Sequence, residues 1–308
     1  MIYTCTLNPA IDYRMELDHF KEETLNRTTF NKYSAGGKGI NVSIVLKHLG
    51  IDNQALGFMG GFTGTYLKTY LQNNYHLDVN FTPIEDNTRI NVKLNIAKRD
   101  TEINAQSPHV KESEVKQLLS KIKSLNEQDV LVLAGSSVKS DIDLYDAIIK
   151  QCHEQNIAFV IDTEKERLLN SLSYQPLLIK PNLFELESLF EKPLSTDDDI
   201  IQAGKKLLEM GAQNIIISLG KDGSLFMNKD KVLKADPIYG EVKNTVGAGD
   251  SMVAGFVGAY TSKQPIEEAY KQAVACGTAT AFSYDLGNKA EIEQIKKQVK
   301  IIEVYNEN

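Results

Sequence analysis

Short, nearly continuous apolar runs alternate with amphipathic helical stretches along most of this chain. The apolar runs lie at 2–6, 53–58, 129–134, 157–162, 177–180 and 214–219. The helical stretches lie near 38–48, 63–73, 111–124, 141–154, 183–190, 198–210, 249–260, 266–282 and 289–298. Unbroken apolar runs are typical of parallel strands that are buried on both faces. The alternation therefore predicts an α/β fold of three layers, with helices on both sides of a mostly parallel central sheet.

Two regions, about 13–33 and 80–105, break this pattern because they contain strands without intervening helices. Apolar and polar residues alternate in them, as in 89–95, which indicates a small antiparallel or mixed sheet exposed on at least one face. Both regions start near the presumed ligand-binding edge of the central sheet. We therefore expect one domain, 1–308, into which these two segments are inserted as a lid over a pocket. The exposed face of the lid could also pair with a second subunit.

Composition and charge exclude several classes of protein. The chain has 308 residues, of which 42% are apolar and 24% are charged, as in ordinary globular proteins. A net charge of −7 argues against non-specific binding of nucleic acids and of anionic membranes. The three cysteines, Cys5, Cys152 and Cys276, form no CxxC pair, so neither a disulfide framework nor a zinc site is indicated. Neither a signal peptide nor a membrane-spanning run is recognisable, which predicts a cytoplasmic protein.

The segment 244–251, Asn-Thr-Val-Gly-Ala-Gly-Asp-Ser, is followed at once by an apolar helical stretch. Gly247 and Gly249 allow backbone conformations closed to other residues, and they leave the backbone open to a ligand. The start of the following helix presents unpaired N–H groups with roughly +0.5 of an elementary charge. Such a corner can bind a phosphate or a developing phosphoryl charge. Asp250 could accept a proton there, or it could only cap the helix.

A second glycine cluster, 35–42, also leads into a helix, and Lys38 adds a point charge to it. A tight turn with a solvated lysine would explain this cluster equally well. The chain contains neither GxxxxGK[ST] nor GxGxxG after its first strand. A P-loop enzyme is therefore excluded, and a nicotinamide-dependent oxidoreductase is disfavoured. Together the two clusters indicate two anion sites, which a phosphorylated acceptor beside a nucleotide would require.

Five motifs in this order resemble the ribokinase-like sugar kinases, also called the phosphofructokinase B family. They are Asn-Pro-Ala-Ile-Asp at 8–12, Gly-Gly-Lys-Gly-Ile-Asn-Val at 36–42, Lys-Pro-Asn-Leu-Phe-Glu at 180–185, Ser-Leu-Gly-Lys-Asp-Gly at 218–223 and Thr-Val-Gly-Ala-Gly-Asp-Ser at 245–251. The resemblance covers essentially the whole chain and implies a ribokinase-like fold with a β-sheet lid. Within the family, 88–93, 101–104 and 273–281 look like the 1-phosphofructokinases, and the tagatose-6-phosphate kinases come next. The chain departs from the family at Ser107 and within 135–139.

The resemblance implies roles for residues on the acceptor side. Asp250 matches the catalytic base, and the backbone anion hole matches Gly247, Ala248 and Gly249. The residues that match contacts with the sugar phosphate are Asp12, Arg27, Gly37, Lys38, Asn41 and Arg89. Without the resemblance, Asp12 would be interpreted as a turn residue, and Arg27 and Arg89 as solvated charged residues on strands.

On the nucleotide side, the matching residues are Lys180, Asn182, Glu185, Ser218, Gly220, Thr245, Gly247 and Gly249. Asn182 and Glu185 match the family's Asn-x-x-Glu element near magnesium, which they would contact through water. The same spacing is also typical of a capping box, and the two roles are compatible. The implied cofactors are ATP and Mg²⁺, and a role for K⁺ stays open.

The expected activity is transfer of a phosphoryl group from ATP to the 6-hydroxyl of fructose 1-phosphate, which yields fructose 1,6-bisphosphate. Tagatose-6-phosphate kinase is the alternative within the family, since it shares every motif above. A sensor of sugar phosphates or nucleotides without catalysis is the alternative of another class. An intact Gly-Ala-Gly-Asp argues against the sensor, because a protein that only binds needs no base. The resemblance also implies a homodimer formed through the lid sheets.

Overall fold

A mostly parallel sheet forms the centre of the computed structural model, which describes residues 1–97 and 99–304. In chain order the strands are β1 (Ile2–Thr6), β2 (Ala10–Leu17), β3 (Phe30–Gly36), β4 (Asn53–Gly60), β5 (Asp78–Val79), β6 (Thr82–Ile84), β7 (Arg89–Ile96), β8 (Arg99–Ile103), β9 (Val130–Ala134), β10 (Ala158–Asp162), β11 (Leu178–Ile179), β12 (Asn214–Ser218), β13 (Ser224–Asn228), β14 (Val232–Ala235) and β15 (Ile301–Glu303). The helices are α1 (Lys38–His48), α2 (Gly61–Tyr75), α3 (Glu112–Lys123), α4 (Leu144–Glu154), α5 (Lys165–Leu172), α6 (Leu183–Phe190), α7 (Asp197–Glu209), α8 (Ala248–Thr261), α9 (Ile266–Ala281) and α10 (Lys289–Lys296).

The large sheet has the strand order β15-β14-β13-β12-β11-β10-β9-β1-β4-β5 among the described residues, and β6 also pairs with β4. Neighbours from β12 to β5 are parallel, whereas β13, β14 and β15 add an antiparallel edge. Strand β9 shows why the apolar runs are unbroken. Leu131 and Leu133 lie in one core cluster, and Val130 and Val132 lie in another. Successive side chains thus enter opposite layers, as expected for a strand covered on both faces.

Helices cover both faces of this sheet, which confirms the predicted three-layer architecture. Helices α3, α4, α5 and α7 contribute buried residues to one cluster, and α1, α8, α9 and α10 contribute to the other. Local signals fix several helix starts. Asp143 caps α4, and capping boxes begin α7 at Thr196 and α10 at Asn288. None of the described helices combines the length and apolarity needed to cross a bilayer.

The second sheet, called the small sheet below, has the strand order β3-β2-β7-β8. Strands β2 and β7 are parallel and the other pairs are antiparallel, so the sheet is mixed, one of the two predicted forms. Its strands begin at Ala10, before the predicted segment, and residues 18–29 form a connection without strands. Residues 82–84 pair with β4 of the large sheet, so only the later part of 80–105 belongs to the small sheet.

The helix α5 and the edge strands β13 to β15 were not predicted from the pattern. Helix α5 buries only Leu168, Ser171 and Leu172, so its apolar period is too short to recognise. The edge strands β13 to β15 are also short, and their pairing is antiparallel. Neither changes the position of the site. The carboxyl ends of β1, β9, β10, β11 and β12 meet at one edge of the large sheet, where ligands bind in open α/β folds.

Candidate active site

The start of α8 forms a tight corner. Gly247 has a φ of 81° and is the N-cap residue of this helix. That left-handed conformation is costly for other residues, and a Cβ atom here would lie 2.6 Å from the side chain of Leu286. None of the described side chains caps the helix, and the N–H groups of Gly249 and Asp250 have no hydrogen-bond partner among the described residues, whereas that of Ala248 donates to the carbonyl oxygen of Thr245 over 3.3 Å. The corner therefore presents the first two of these backbone donors to an anion.

Asp250 lies in the first turn of α8, and it does not cap the helix. Its side chain is buried, with 6% of the residue exposed, and its Oδ2 accepts a hydrogen bond of 2.8 Å from Asn41 Nδ2. Burial and the charge of Asp162 raise the pKa of Asp250 to about 6, although the Asn41 hydrogen bond and two lysines oppose this shift. A carboxylate with such a pKa is a stronger base than an exposed aspartate, and it is still mostly ionised near neutral pH.

Two lysines bracket the carboxylate of Asp162 at the end of β10. Lys38 Nζ donates to Asp162 Oδ1 over 2.9 Å, and Lys180 Nζ lies 3.7 Å from Oδ2. Burial would raise the pKa of Asp162, but the charges of Lys180 and Lys38 outweigh it and hold this pKa below its usual range. The pKa of Lys38 is raised to about 12, because Asp162 overcomes the desolvation of the ammonium group. Lys38 therefore stays cationic near neutral pH.

Lys180 also explains why a glycine occupies position 249. A Cβ atom on Gly249 would lie 2.8 Å from Lys180 Nζ, closer than real contacts allow. The ammonium group of Lys180, whose side chain is only 6% exposed, thus lies directly against the first turn of α8. An anion bound by the N–H groups of this turn would meet a fixed positive charge.

Two of the predicted acceptor contacts, Asp12 and Arg89, lie on β2 and β7 of the small sheet. Asn91 Nδ2 donates to Asp12 Oδ1 over 2.8 Å, and a Cβ atom on Gly36 would collide with the same carboxylate. Arg89 Nη2 donates to the carbonyl oxygen of Asn8 over 3.2 Å, while its buried Nε has no partner among the described residues. Desolvation by burial lowers the pKa of Arg89, and Asp12 opposes this shift. This arginine therefore has a donor to spare for a ligand.

A cavity of about 460 Å³ lies between the small sheet and the segment before α8. Asp12, Asn41 and Thr245 line it, together with Arg14 and Lys32 of the small sheet. Its lining thus combines two predicted substrate contacts with one predicted nucleotide contact. The cavity is large enough for a small metabolite.

Several of the predicted nucleotide contacts lie close to the ends of β11 and β12. Asn182 and Ser218 form an isolated parallel bridge, and the main-chain nitrogen of Ser218 donates to the carbonyl oxygen of Pro181 over 3.1 Å. Asn182 and Glu185 form the capping box of α6, with reciprocal hydrogen bonds of 2.8 Å. Gly220 has a φ of 61° and open space where a Cβ atom would stand.

Arg27 is the predicted contact that lies apart from the others. It is exposed in the connection between β2 and β3. Gly37, by contrast, is the N-cap residue of α1 and places Lys38 at the first position of that helix. Contact of Arg27 with the phosphate of the acceptor stays a prediction.

Two residues of the site were missed in the sequence. Asp162 was read only as the end of a buried strand, although an aspartate at the carboxyl end of a parallel strand is a signal for a site. Asn8 is 3% exposed, and its Nδ2 faces Ser107 Oγ at 2.7 Å, Ser136 Oγ at 3.3 Å and the carbonyl oxygen of Ser137 at 3.1 Å. The positions that depart from the family pattern thus meet at one amide group.

The donor set near the corner limits how a metal ion could bind. The described residues contain no cluster of three or more His, Cys, Asp or Glu side chains that could hold one. Magnesium is usually bound through one or two carboxylates, water and the phosphates of a nucleotide. Glu185 is a carboxylate of this kind near the glycine corner. Its charge is close enough to Lys38 to contribute to the raised pKa of that lysine.

Comparison with known proteins gives one consistent result. The model of the pfkB family carbohydrate kinases matches residues 6–293. A 1-phosphofructokinase of Bacillus subtilis is 41% identical over 302 residues, which cover 98% of this chain and 99% of the relative. A D-tagatose-1-phosphate kinase of Bacillus licheniformis is 38% identical over 303 residues, with 98% and 99% covered. The structure of phosphofructokinase-2 from Escherichia coli in complex with substrates and products superimposes with a TM-score of 0.90 at 27% identity, covering 96% of this chain and 98% of that one.

Proposed function

We propose, since the chain belongs to the pfkB family of carbohydrate kinases, that it transfers the γ-phosphoryl group of ATP to the 6-hydroxyl of fructose 1-phosphate. The observation that carries the proposal is the placement of Asp250. Its buried carboxylate, with a pKa raised to about 6, lies in the first turn of a helix in which the N–H groups of Gly249 and Asp250 have no partner among the described residues. A general base and an anion site within one helical turn suit phosphoryl transfer. A non-catalytic sensor would need only the second of these.

In the proposed reaction, Asp250 accepts the proton of the 6-hydroxyl while that oxygen forms a bond to the γ-phosphorus. The bond between the γ-phosphorus and its bridging oxygen breaks, and ADP leaves. The N–H groups of Gly249 and Asp250 would stabilise charge on the migrating group, with Lys38 and Lys180 as fixed cations. Positioning and electrostatics supply most of the rate acceleration in such reactions.

The acceptor would be held by the small sheet. Asp12 would accept hydrogen bonds from sugar hydroxyls, and Arg89 would bind the phosphate that the acceptor already carries. The free Nε of Arg89 supports this role, because an unpartnered buried donor is costly without a ligand. Gly37 and Asn41 would complete the contacts from the start of α1.

The nucleotide would lie along the ends of β11 and β12, near Asn182, Ser218 and Gly220, with Thr245 beside its phosphates. Mg²⁺, when bound, would neutralise charge on the phosphates of ATP. Asn182 and Glu185 would contact it through water, since their capping bonds already use one oxygen of each side chain. A requirement for K⁺ is tested by comparing rates in potassium and sodium salts.

We further propose that the chain is one kinase domain in which the small sheet acts as a lid, and that two lids pair in a homodimer. Tyr33 on β3 and Ile90 on β7 are large hydrophobic residues of the small sheet that are exposed in a single chain. A second copy would bury them, and it could bring its Arg27 to the site. Light scattering should give twice the mass of the chain, and a monomer would exclude the dimer. Activity in the cytoplasmic fraction would support the expected location.

Initial rates on purified acceptors test the choice of substrate. Fructose 1-phosphate should give the highest kcat/KM, ahead of tagatose 1-phosphate, tagatose 6-phosphate and fructose 6-phosphate. Tagatose 1-phosphate is the strongest rival, because a relative of that name is 38% identical and the two sugars differ only in configuration at C4. A higher kcat/KM on either tagatose phosphate would reject the proposed acceptor. Binding of ATP without ADP formation on any acceptor would favour the sensor.

A further inference from the structure

We propose that residues 283–287, the loop after α9, couple the small sheet to the glycine corner, with Thr280 as the positioning residue. The proposal rests on the kinase function above and concerns the geometry of its anion site. Three contacts of this loop carry it: a chain of hydroxyl groups, an apolar contact on Gly247, and an ion pair with the small sheet.

The first contact is a directed chain of hydrogen bonds that ends at Gly247. The N–H of Gly287 donates to Thr280 Oγ1 over 3.0 Å, and Thr280 Oγ1 lies 2.8 Å from Ser251 Oγ. Ser251 Oγ donates to the carbonyl oxygen of Gly247 over 2.8 Å. A hydroxyl has one hydrogen, and a carbonyl oxygen can only accept. Only one assignment therefore makes every bond: Gly287 to Thr280, Thr280 to Ser251, and Ser251 to Gly247.

This chain is isolated from water. Thr280 and Ser251 are both fully buried, so their hydroxyl groups have no solvent to replace a lost partner. Hydrogen bonds in such surroundings strengthen one another, and a break in the chain leaves buried groups unpaired. The Gly247 carbonyl thus accepts two hydrogen bonds, one from the main-chain N–H of Ser251 over 2.8 Å and one from its hydroxyl group, and the second depends on the hydroxyl group of Thr280 in the adjacent helix.

The same loop touches Gly247 from a second side. The side chain of Leu286 fills the space beside Gly247, where a Cβ atom would lie 2.6 Å from it. Leu286 also lines the cavity next to Asp12 and Asn41. A displacement of the loop would therefore change both the packing and the hydrogen bonding of the glycine corner.

The loop is joined to the small sheet by an ion pair. Lys32 Nζ of β3 lies 3.1 Å from Asp285 Oδ2, and both residues line the cavity. Both side chains are about half exposed, so the pair is weak and can open and close as the lid moves. When the pair forms, it fixes the loop that supports the anion site. Closure over the acceptor and completion of the corner would then occur together.

Thr280→Val tests the hydroxyl chain, because valine keeps the shape of threonine and removes the hydroxyl group. We expect kcat to fall roughly tenfold, less than the ~10²–10³-fold loss that follows removal of an anion-hole donor. The KM for ATP and the KM for the acceptor should change less than about twofold, since no ligand contact is lost. Thr280→Ser restores the hydroxyl group and should recover most of the rate.

Ser262→Ala is the control at the other end of α8. Like Ser251, Ser262 donates its hydroxyl hydrogen to the carbonyl oxygen four residues earlier, in this case that of Gly258 over 2.8 Å. Its kcat should equal that of the original protein. A folded Thr280→Val with unchanged kcat would overturn the inference. So would a Thr280→Ser variant as slow as Thr280→Val, because the loss would then not depend on the hydroxyl group.

Charge reversal tests the ion pair. Asp285→Lys should lower kcat roughly two- to fivefold, and combining it with Lys32→Asp should restore it. Reversal of the exposed pair Lys47 and Asp52 elsewhere on the surface is the control and should change nothing. In a Thr280→Val background, Asp285→Lys should lower kcat less than it does in the original protein, because only the contact of Leu286 with Gly247 is left to transmit the change. If the fold-changes in kcat of the two substitutions simply multiplied, Asp285 would not act through Thr280, and the coupling would be overturned.

Failure of this inference is distinguishable from failure of the proposed function. If the unmodified protein forms no ADP with any of the four acceptors, the kinase assignment fails and with it the basis of the coupling. If it is an active kinase and Thr280→Val matches its kcat, only the coupling fails.

Discussion

Asn41 Nδ2 donates a hydrogen bond of 2.8 Å to Asp250 Oδ2, although 209 positions separate the two residues in the chain. This bond joins the glycine cluster at the start of α1 to the one at the start of α8, so the two clusters form one site. Because Asn41 holds Oδ2, Oδ1 is left to receive a proton. The bond also stabilises the ionised carboxylate against the opposing effect of burial.

The rate of the reaction should therefore depend on pH through Asp250. The carboxylate must be ionised to accept a proton, and its pKa is about 6, so kcat at saturating substrates should fall as the pH drops below about 6. Asn41→Ala removes the hydrogen bond that lowers this pKa, and its profile should shift to higher pH. A profile that is unchanged in Asn41→Ala would show that the titrating group is not Asp250.

Asp162→Asn should destabilise the fold, because it removes the ion-pair partner of the buried ammonium group of Lys180. Removing one partner of a buried pair costs about 3–5 kcal/mol in the free energy of unfolding. Folding lowers the pKa of Asp162. The stabilisation from its ionised carboxylate is therefore complete above the pKa that this group has in the unfolded chain, and it is lost as the pH falls through the lower pKa of the folded protein. The difference between the two proteins should shrink in acid.

Denaturant unfolding at pH 7 and at decreasing pH measures this difference. Asp52→Asn, in the exposed pair with Lys47, is the control and should have little effect. Equal stability of Asp162→Asn and the original protein at pH 7 would contradict the role given to this carboxylate.

Arg89→Ala should weaken binding of the acceptor and leave ATP unaffected. A charge-assisted hydrogen bond to a phosphate typically contributes enough that its loss raises KM roughly 10–100-fold. Steady-state kinetics with each substrate varied in turn would show this. Arg99→Ala, an exposed arginine of β8, should behave like the original protein. An unchanged acceptor KM in Arg89→Ala would show that this guanidinium does not contact the substrate.

The layers of the fold were predictable because strands such as β9 are buried on both faces and leave an unbroken apolar signal. Antiparallel β13 and β14 and the short helix α5 carry no comparable period. The motifs likewise located Asp250 and Lys38, but not the pairing of Lys38 with Asp162. That contact depends on β9, β10 and α1 packing side by side, over 124 positions of sequence. Local patterns cannot encode such a distance.

The hydroxyl chain from Thr280 to Gly247 shows the same limit. Thr280 lies in an apolar stretch of α9 that reads as core, and nothing near it in sequence indicates a partner in α8. Arg27 shows the converse. The family resemblance selected it, yet its backbone lies in an exposed connection outside the strands, so its role stays a prediction.

The turnover of Asp250→Asn tests the central claim most directly. Asparagine keeps the size and the hydrogen bond from Asn41 but cannot accept a proton at neutral pH. We predict a folded protein that binds ATP with the original affinity by calorimetry and loses about 10²–10⁴ of kcat at pH 7.5. A kcat within a few-fold of the original enzyme would contradict Asp250 as the base.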